Sequence, residues 1–138
     1  MNALVVLWLK LTLGRKFKVK RLSKRTVYIV TPLLDRHNDM IVVYVTYDGP
    51  WGYIINDASE TIHDLESCGF VFPWNEPEAP INACVEYILK GNEWCIRAVD
   101  ELMIPSRPRD LAADIWTLAE RIHIIANLPH PQQWGVTS

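Results

Sequence analysis

Apolar residues recur along the chain with two kinds of spacing, and each spacing predicts a type of secondary structure. Runs of β-branched and aromatic residues at 26–31, 41–47 and 52–55 predict three strands. Only short turn sequences separate these runs, so we expect an antiparallel meander, with the middle strand in a central position. Residues 93–99 and 102–104 predict two further short strands, which would form a second hairpin.

A helical period accounts for most of the other apolar residues. The first segment, 3–13, is apolar on most sides and is interpreted as a short helix, with a strand as the alternative. A second helix is expected to be capped by Thr61, with Asp64 as the capping-box partner. Two longer helices follow, one over 80–90 and one starting at 106–110, each with an apolar stripe at helical spacing.

The element order α-βββ-α-α-ββ-α predicts the α+β class, with an antiparallel sheet covered by helices. A length of 138 residues suits one domain, so we expect a single domain over 1–138 with a loose tail at 129–138. Three cysteines (Cys68, Cys84 and Cys95) leave one unpaired in any disulfide scheme, and none forms a C-x-x-C motif. This usage favours reduced thiols and a cytoplasmic location.

The apolar start of the chain does not predict a membrane segment. Lys10 interrupts the apolar run, and the positive charges follow the run, whereas in a secretory signal they precede it. A membrane-spanning helix needs about 20 apolar residues. We therefore expect no membrane partner, and contact with a membrane interface is a minor alternative.

Charge is divided unevenly along the chain. Residues 1–34 hold eight basic residues and no acidic ones, whereas residues 35–138 hold six basic and sixteen acidic residues, a net charge of −10. The near-neutral total excludes a protein that binds nucleic acid through an overall basic surface.

The basic stretch 15–25 is interpreted as a loop that leads into the first strand. A local nucleic-acid-binding segment is possible here, because alternating lysines would lie on one face if the stretch were extended. Its candidate residues are Lys16, Lys18, Lys20, Arg21, Lys24 and Arg25. The alternatives are a solvated edge strand, whose lysines oppose aggregation, or a segment that pairs with the acidic part of the chain.

The densest polar cluster lies between the first two predicted strands and consists of Asp35, Arg36, His37, Asn38 and Asp39. A hairpin turn is the commonest meaning of such residues, since Asp and Asn bind their own backbone and Asn tolerates positive φ. A non-catalytic binding surface and a metal site are the alternatives. In an extended segment Asp35, His37 and Asp39 would share one face and could bind a cation. Asp57 or Asp64 could add a further oxygen ligand.

Other catalytic motifs are missing from the sequence. It contains no G-x-S-x-G elbow and no glycine-rich phosphate loop, so no cofactor is predicted. His63 is interpreted as an exposed helix residue and His123 as a boundary residue. Trp51 follows a turn and would suit a protein contact, with partial burial as an equal alternative. The acidic, proline-rich loop 71–80 is a further candidate contact surface.

Two strings in the chain are distinctive. The first is Thr31-Pro32-x-x-Asp35-Arg36-His37-Asn38-Asp39, and the second is Gly52-Tyr53-x-x-x-Asp57 followed by Thr61-Ile62-x-Asp64-Leu65-Glu66-x-x-Gly69. Together they resemble an uncharacterised bacterial and phage family, the "domain of unknown function 1828" family, over about residues 4–69. Ala58-Ser59 departs from the family's Asp-Gly-like turn.

The resemblance implies a small phage, prophage or mobile-element protein of unknown activity. The element order is also similar to that of type III secretion chaperones, which are small dimers that bind client peptides. A homodimer is therefore one possible assembly.

Three functional hypotheses follow. The leading one is a non-catalytic interaction module of phage or mobile-element type that binds a host or phage protein, for example to inhibit a host defence system. Its contact residues would be the Asp35–Asp39 turn, Trp51 and Asp57. The second is a metal-dependent nuclease or phosphodiesterase built on the same turn. The third is nucleic-acid binding through the basic stretch.

Overall fold

The fold consists of helices and strands joined by short turns. The computed structural model describes residues 1–91, 94–129 and 131–134. The strands are β1 (Lys18–Arg21), β2 (Thr26–Leu34), β3 (Met40–Tyr47), β4 (Tyr53–Asn56), β5 (Ile96–Ala98) and β6 (Glu101–Ser106). The helices are α1 (Ala3–Leu13), α2 (Glu60–Ser67), α3 (Pro80–Leu89) and α4 (Leu111–Ala126). Short 3-10 turns lie at Gly49–Trp51, Pro108–Asp110 and Pro131–Trp134.

The six strands form one antiparallel sheet in the order β1-β2-β3-β4-β6-β5. The α+β class and the order of elements are as predicted, and β3 is central. β1 is an addition, because it lies within the basic stretch that was interpreted as a loop. It forms the edge of the sheet beside β2, with its buried Val19 opposite Ile29.

One face of the sheet is covered by helices and the other is not. Val27, Ile29, Val43 and Val45 are fully buried, and buried residues from all four helices join them in a single core. The five predicted apolar residues of α4 are buried in this core: Leu111, Ile115, Leu118, Ile122 and Ile125. The residues that alternate with the core positions on β2 and β3 are only half-buried.

The first helix is held at both ends. The Asn2 side chain caps α1 by accepting the Val5 N–H at 3.0 Å. The amino terminus of Met1 donates to Lys24 O, and the Arg21 guanidinium donates to Met1 O at 2.8 Å. These bonds fix α1 against the hairpin of β1 and β2.

Several predicted boundaries differ from the structure. The last helix begins at Leu111, because Pro108–Asp110 forms a 3-10 turn that leads into it. Only Ile96–Ala98 forms the strand predicted at 93–99, and Asn92 and Glu93 are not among the described residues. In the predicted tail, the described Trp134 packs against the core, whereas 130 and 135–138 lie outside the description. None of the helices described combines the length and apolar character needed to cross a bilayer.

Candidate functional site

The Asp35–Asp39 segment forms a turn that the Asp35 carboxylate closes. The Asp35 carboxylate accepts the backbone N–H of His37 at 2.8 Å and that of Asp39 at 3.1 Å. Asn38 has a φ of 63°, the left-handed conformation that the hairpin interpretation expected. Because the segment is turned, the extended conformation in which Asp35, His37 and Asp39 would share one face is not adopted.

Arg36 reaches from this turn to the end of α4. Its Nε donates to Ala126 O at 2.9 Å and one terminal nitrogen donates to Leu128 O at 2.6 Å. These carbonyls lie at a helix end, where intrahelical donors are missing. The guanidinium also stacks 4.6 Å from the centre of the Phe70 ring. The side chain predicted to contact a partner is therefore engaged within the fold.

Asp57 is buried and caps α2. It is only 1% exposed, and its carboxylate accepts the backbone N–H groups of Ser59, Thr61 and Leu102 at 2.9, 3.2 and 3.0 Å. The prediction that Thr61 caps this helix with Asp64 is wrong. The helix begins at Glu60 without a side-chain bond from its cap residue, because Ala58 and Ser59 turn at positive φ and bring Asp57 over the free N–H groups.

A cleft of about 460 Å³ opens between β3 and α2. Asp35, Glu60 and Asp64 line it with carboxylates, and apolar residues such as Ile41 and Ile122 also line it. Asp57 was one candidate for a further oxygen ligand in the nuclease hypothesis, but its carboxylate already binds backbone N–H groups. Asp64, the other residue considered for that role, does approach His37.

His37 meets Asp64 and Cys68 beside this cleft. Its Nε2 lies 3.0 and 3.2 Å from the two Asp64 oxygens and 3.6 Å from Cys68 Sγ. A thiol–imidazole–carboxylate relay uses both ring nitrogens, one for the carboxylate and one for the thiol. Here both partners face Nε2, so the trio lacks the geometry of a relay. Sequence reasoning missed Cys68, although its i, i+4 spacing from Asp64 on a helix was a signal.

A second cluster lies on α2. His63 Nε2 is 3.2 Å from the Asp100 carboxylate, with Glu66 nearby. His63 is exposed, as predicted. His123 binds Leu34 O through Nδ1 at 2.7 Å, which fits the boundary role expected for it.

The acidic loop 71–80 is tied to α3. The Asn82 side chain donates to Pro73 O at 2.8 Å and to Glu76 O at 3.0 Å, and it accepts from Arg97 at 2.9 Å. Arg97 also lies over the Phe72 ring. The loop therefore has a fixed path, with the side chains of Glu76 and Glu78 exposed.

The basic stretch is divided between a turn, a strand and a loop. Lys16 lies in the turn before β1, Lys18 and Lys20 are exposed on β1, and Lys24 and Arg25 lie in the loop that follows. Arg25 lies over the Tyr47 ring, 5.8 Å from its centre. Two of the three alternating lysines, Lys18 and Lys20, thus share a strand face, whereas Lys16 precedes the strand.

Strand register places aromatic residues beside these lysines. Lys20 is opposite Tyr28, which is opposite Tyr44, and Lys18 is opposite Val30. All of them therefore lie on the sheet face that the helices leave uncovered. Burial, and next the Glu60 carboxylate that accepts the Tyr44 hydroxyl at 3.1 Å, raise the pKa of Tyr44.

Large apolar side chains on α1 face solvent. Leu4 is 75% exposed, Leu7 53% and Leu11 74%, and Trp8 is more than one third exposed. We call these four residues the outer α1 face. Leu9 and Leu13 bury the opposite side of the helix. The sequence could not indicate this face, because nearly every residue of α1 is apolar.

Trp51 ends the 3-10 turn Gly49–Trp51, but its side chain lies outside the described part of the structure. Its predicted contact role stays a prediction.

The three cysteines are free thiols. Burial raises the pKa of Cys84 and of Cys95, which keeps these thiols protonated at neutral pH.

The family comparison agrees with the strings that flank this site. The family described as Domain of unknown function DUF1828 matches residues 31–125, more than half of the chain. The chain belongs to the DUF1828 family. The match begins at Thr31, later than the resemblance suggested, and continues through α4, well beyond residue 69. No curated protein and no solved structure gives a significant match.

The DUF1828 match includes the polar turn, the cleft and α2, whereas α1, β1 and the first part of β2 precede it. His37 and Asp64 both belong to the strings that carried the resemblance. The outer α1 face and the whole basic stretch 15–25 thus lie outside the matched residues.

Proposed function

We propose that this DUF1828 chain is a non-catalytic interaction module that binds and modulates a protein partner through the outer α1 face. The observation that carries the proposal is the exposure of three leucines at i, i+3 and i+7 on one helix. Exposed apolar patches of this kind are typical of protein interfaces. Leu4, Leu7 and Leu11 are the anchors that would enter a partner's groove.

Charge around the outer α1 face defines the partner's chemistry. A groove of about 520 Å³ brings Leu7 together with Lys10, Lys20 and Arg21. A neighbouring groove of about 500 Å³ brings Leu11 together with Lys10 and Lys18. The partner surface that complements this arrangement is an apolar groove with carboxylates at its rim.

The proposal keeps the biological setting that the family resemblance implied. The partner would be a host or phage protein in the cytoplasm, and inhibition of a host defence system is the form of modulation we propose. The three free cysteines support a reducing compartment. The Asp35–Asp39 turn is reassigned from direct contact to support of the fold, because Asp35 and Arg36 bind within the chain.

The experiment uses the full chain with a matched pair of surface variants. Affinity capture from the native host would identify a partner, which is then purified and titrated against each variant. We expect Leu4→Ser with Leu11→Ser to weaken binding at least tenfold. Tyr87→Ser removes an equally exposed apolar side chain from α3 and should leave the affinity unchanged.

Charge reversal tests the lysines that lie beside the outer α1 face. Lys18→Glu with Lys20→Glu should slow association and remove its salt dependence, whereas Lys90→Glu, at the end of α3, should not. Unchanged affinity in the double leucine variant would overturn the proposed surface. Light scattering of the free chain reports self-association, and a stable dimer lost in the same variant would identify a second copy as the occupant.

A second candidate function is binding of single-stranded nucleic acid on the uncovered sheet face. The specific observation is the register that aligns Lys18 and Lys20 with Tyr28 and Tyr44. Aromatic side chains stack on bases and lysines neutralise phosphates. Fluorescence anisotropy with single-stranded DNA and RNA should show binding that weakens with salt and is lost in Tyr28→Ala with Tyr44→Ala. No binding at low salt would exclude this function.

A further inference from the structure

Three donor atoms of different chemistry converge at the end of α2. His37 contributes an imidazole nitrogen, Asp64 a carboxylate oxygen and Cys68 a thiol sulfur, and one atom from each lies within 4.8 Å of the other two. Asp64 lies on α2 and Cys68 directly follows the helix, four residues after Asp64, so both face the same side. His37 approaches from the turn between β2 and β3.

Two of the separations match the edges of a zinc coordination tetrahedron. Zinc lies about 2.0–2.2 Å from nitrogen and oxygen and about 2.3 Å from sulfur, so tetrahedral angles place nitrogen about 3.6 Å from sulfur and about 3.3 Å from oxygen. Here Nε2 lies 3.6 Å from Cys68 Sγ and 3.0 and 3.2 Å from the Asp64 oxygens.

The backbone around the donors is already fixed. The Asp35 carboxylate accepts the His37 N–H, and Arg36 anchors the same turn to α4. Asp57 caps the helix that carries Asp64 and Cys68. Binding would therefore order few additional groups, which favours affinity.

We infer that His37, Asp64 and Cys68 form a site for a divalent cation of the zinc class. Thiolate and imidazole ligands select zinc over magnesium and calcium, which prefer oxygen. The side chains of His37 and Asp64 are 44% and 39% exposed, so the ion can enter and a fourth position is open to water or to a group from a bound molecule. This site is independent of the outer α1 face.

The neighbouring His63 cluster serves as an internal comparison. It offers one imidazole and the carboxylates of Glu66 and Asp100, without a thiol. The cluster of His37, Asp64 and Cys68 should therefore be the one that gives a thiolate signature. Cys84 provides the matched thiol control, because it is also a free and half-buried cysteine but lies on α3.

Calorimetry and cobalt substitution test the site on the full chain. We expect Zn²⁺ to bind one to one and Mg²⁺ to give no heat. Cobalt should give tetrahedral visible bands and a thiolate-to-metal charge-transfer band. Cys68→Ser should abolish the charge-transfer band and weaken Zn²⁺ binding at least tenfold, whereas Cys84→Ser and His63→Ala should retain both properties.

Two further measurements separate ligation from a structural effect. Asp64→Asn keeps the shape of the side chain, and it should weaken Zn²⁺ binding while circular dichroism stays unchanged. Because the thiol must lose its proton and the imidazole must be neutral, affinity should rise with pH and binding should release protons. Absence of Zn²⁺ binding by the native chain, or an unchanged cobalt spectrum in Cys68→Ser, would overturn the inference.

Discussion

In the Asp35–Asp39 turn the side chains of Asp35 and Arg36 bind groups of the chain itself, whereas those of the outer α1 face extend into solvent. Asp35 closes the turn and Arg36 caps α4, although both residues are conspicuous in the sequence. Leu4 and Leu11 show the opposite behaviour, because leucine is typical of a protein core and yet both side chains are about three quarters exposed. Residue type alone therefore does not distinguish residues that support the fold from residues that are available for contact, because the fold decides which side chains remain exposed.

The largest expected effect comes from the two sides of α1. Leu9→Ala should lower the free energy of unfolding by about 3 kcal/mol, because Leu9 is fully buried and its removal leaves a cavity. Leu11→Ala should change the same quantity by less than about 0.5 kcal/mol. Urea denaturation of both variants measures the difference. Equal losses would mean that the outer face packs within the fold.

The next effect concerns Asp57. Asp57→Ala should cost about 2–3 kcal/mol, since three backbone N–H groups lose their acceptor inside the protein. Asp39→Ala, in the exposed part of the turn, should cost less than about 0.5 kcal/mol. Chemical denaturation again provides the readout. A small loss in Asp57→Ala would show that water can replace the carboxylate.

Arg36 provides a smaller test of engagement within the fold. Arg36→Ala should cost about 1.5 kcal/mol, because two carbonyls at the end of α4 lose a charged donor and Phe70 loses its stacked partner. Arg15→Ala removes an exposed arginine from the basic stretch and should be neutral within about 0.5 kcal/mol. Thermal denaturation compares the two. Similar melting temperatures would place Arg36 among the free surface residues.

The smallest expected effect is a pH dependence at Asp114. Burial raises the pKa of this carboxyl group, while the Ser106 hydroxyl, 2.6 Å away, opposes the shift. The folded chain therefore holds the proton more tightly than the unfolded chain. This group's contribution to stability is present below the unfolded pKa of 3.8 and is lost as pH rises through the raised folded value.

Asp114→Asn replaces the carboxyl group with an amide that does not titrate. The free energy of unfolding should therefore change less with pH, between pH 3.8 and the raised pKa of Asp114, than it does in the native chain. Denaturation midpoints measured at several pH values check the slope. If stability changed with pH as steeply in the variant as in the native chain, the Ser106 hydrogen bond would be offsetting the effect of burial on Asp114. The difference between side chains bound within the fold and exposed side chains would then depend on packing alone.

The elements that the sequence predicted well are those with a clear direction of burial. α4 repeats its apolar residues on one side, and that side is buried. β2 and β3 are β-branched and aromatic runs between turns, and alternate residues of each strand are buried. α1 has no polar side to orient it, so the outer α1 face could only be found from packing. β1 was interpreted as a loop, with an edge strand as an alternative, because Val19 is its only apolar residue.

The candidate sites were predicted less well than the fold. Asn38 was expected at positive φ, but the positive φ of Ala58 and Ser59 was not, and these two residues allow Asp57 to act as the cap. The pairing of His37 with Cys68 spans 31 positions and depends on how α2 packs beside the β2–β3 turn. No local pattern reports a contact of that kind.

The bond between Asp57 and Leu102 has a consequence for folding kinetics. β1 to β4 pair with their neighbours in sequence, but β6 must return across 45 positions to lie beside β4. Closing such a long connection is slow compared with forming a hairpin. The meander should therefore form early, and the docking of β6 should limit the rate. A backbone cut between α2 and α3 would leave two fragments with complementary strand edges, which should reassemble into the six-stranded sheet.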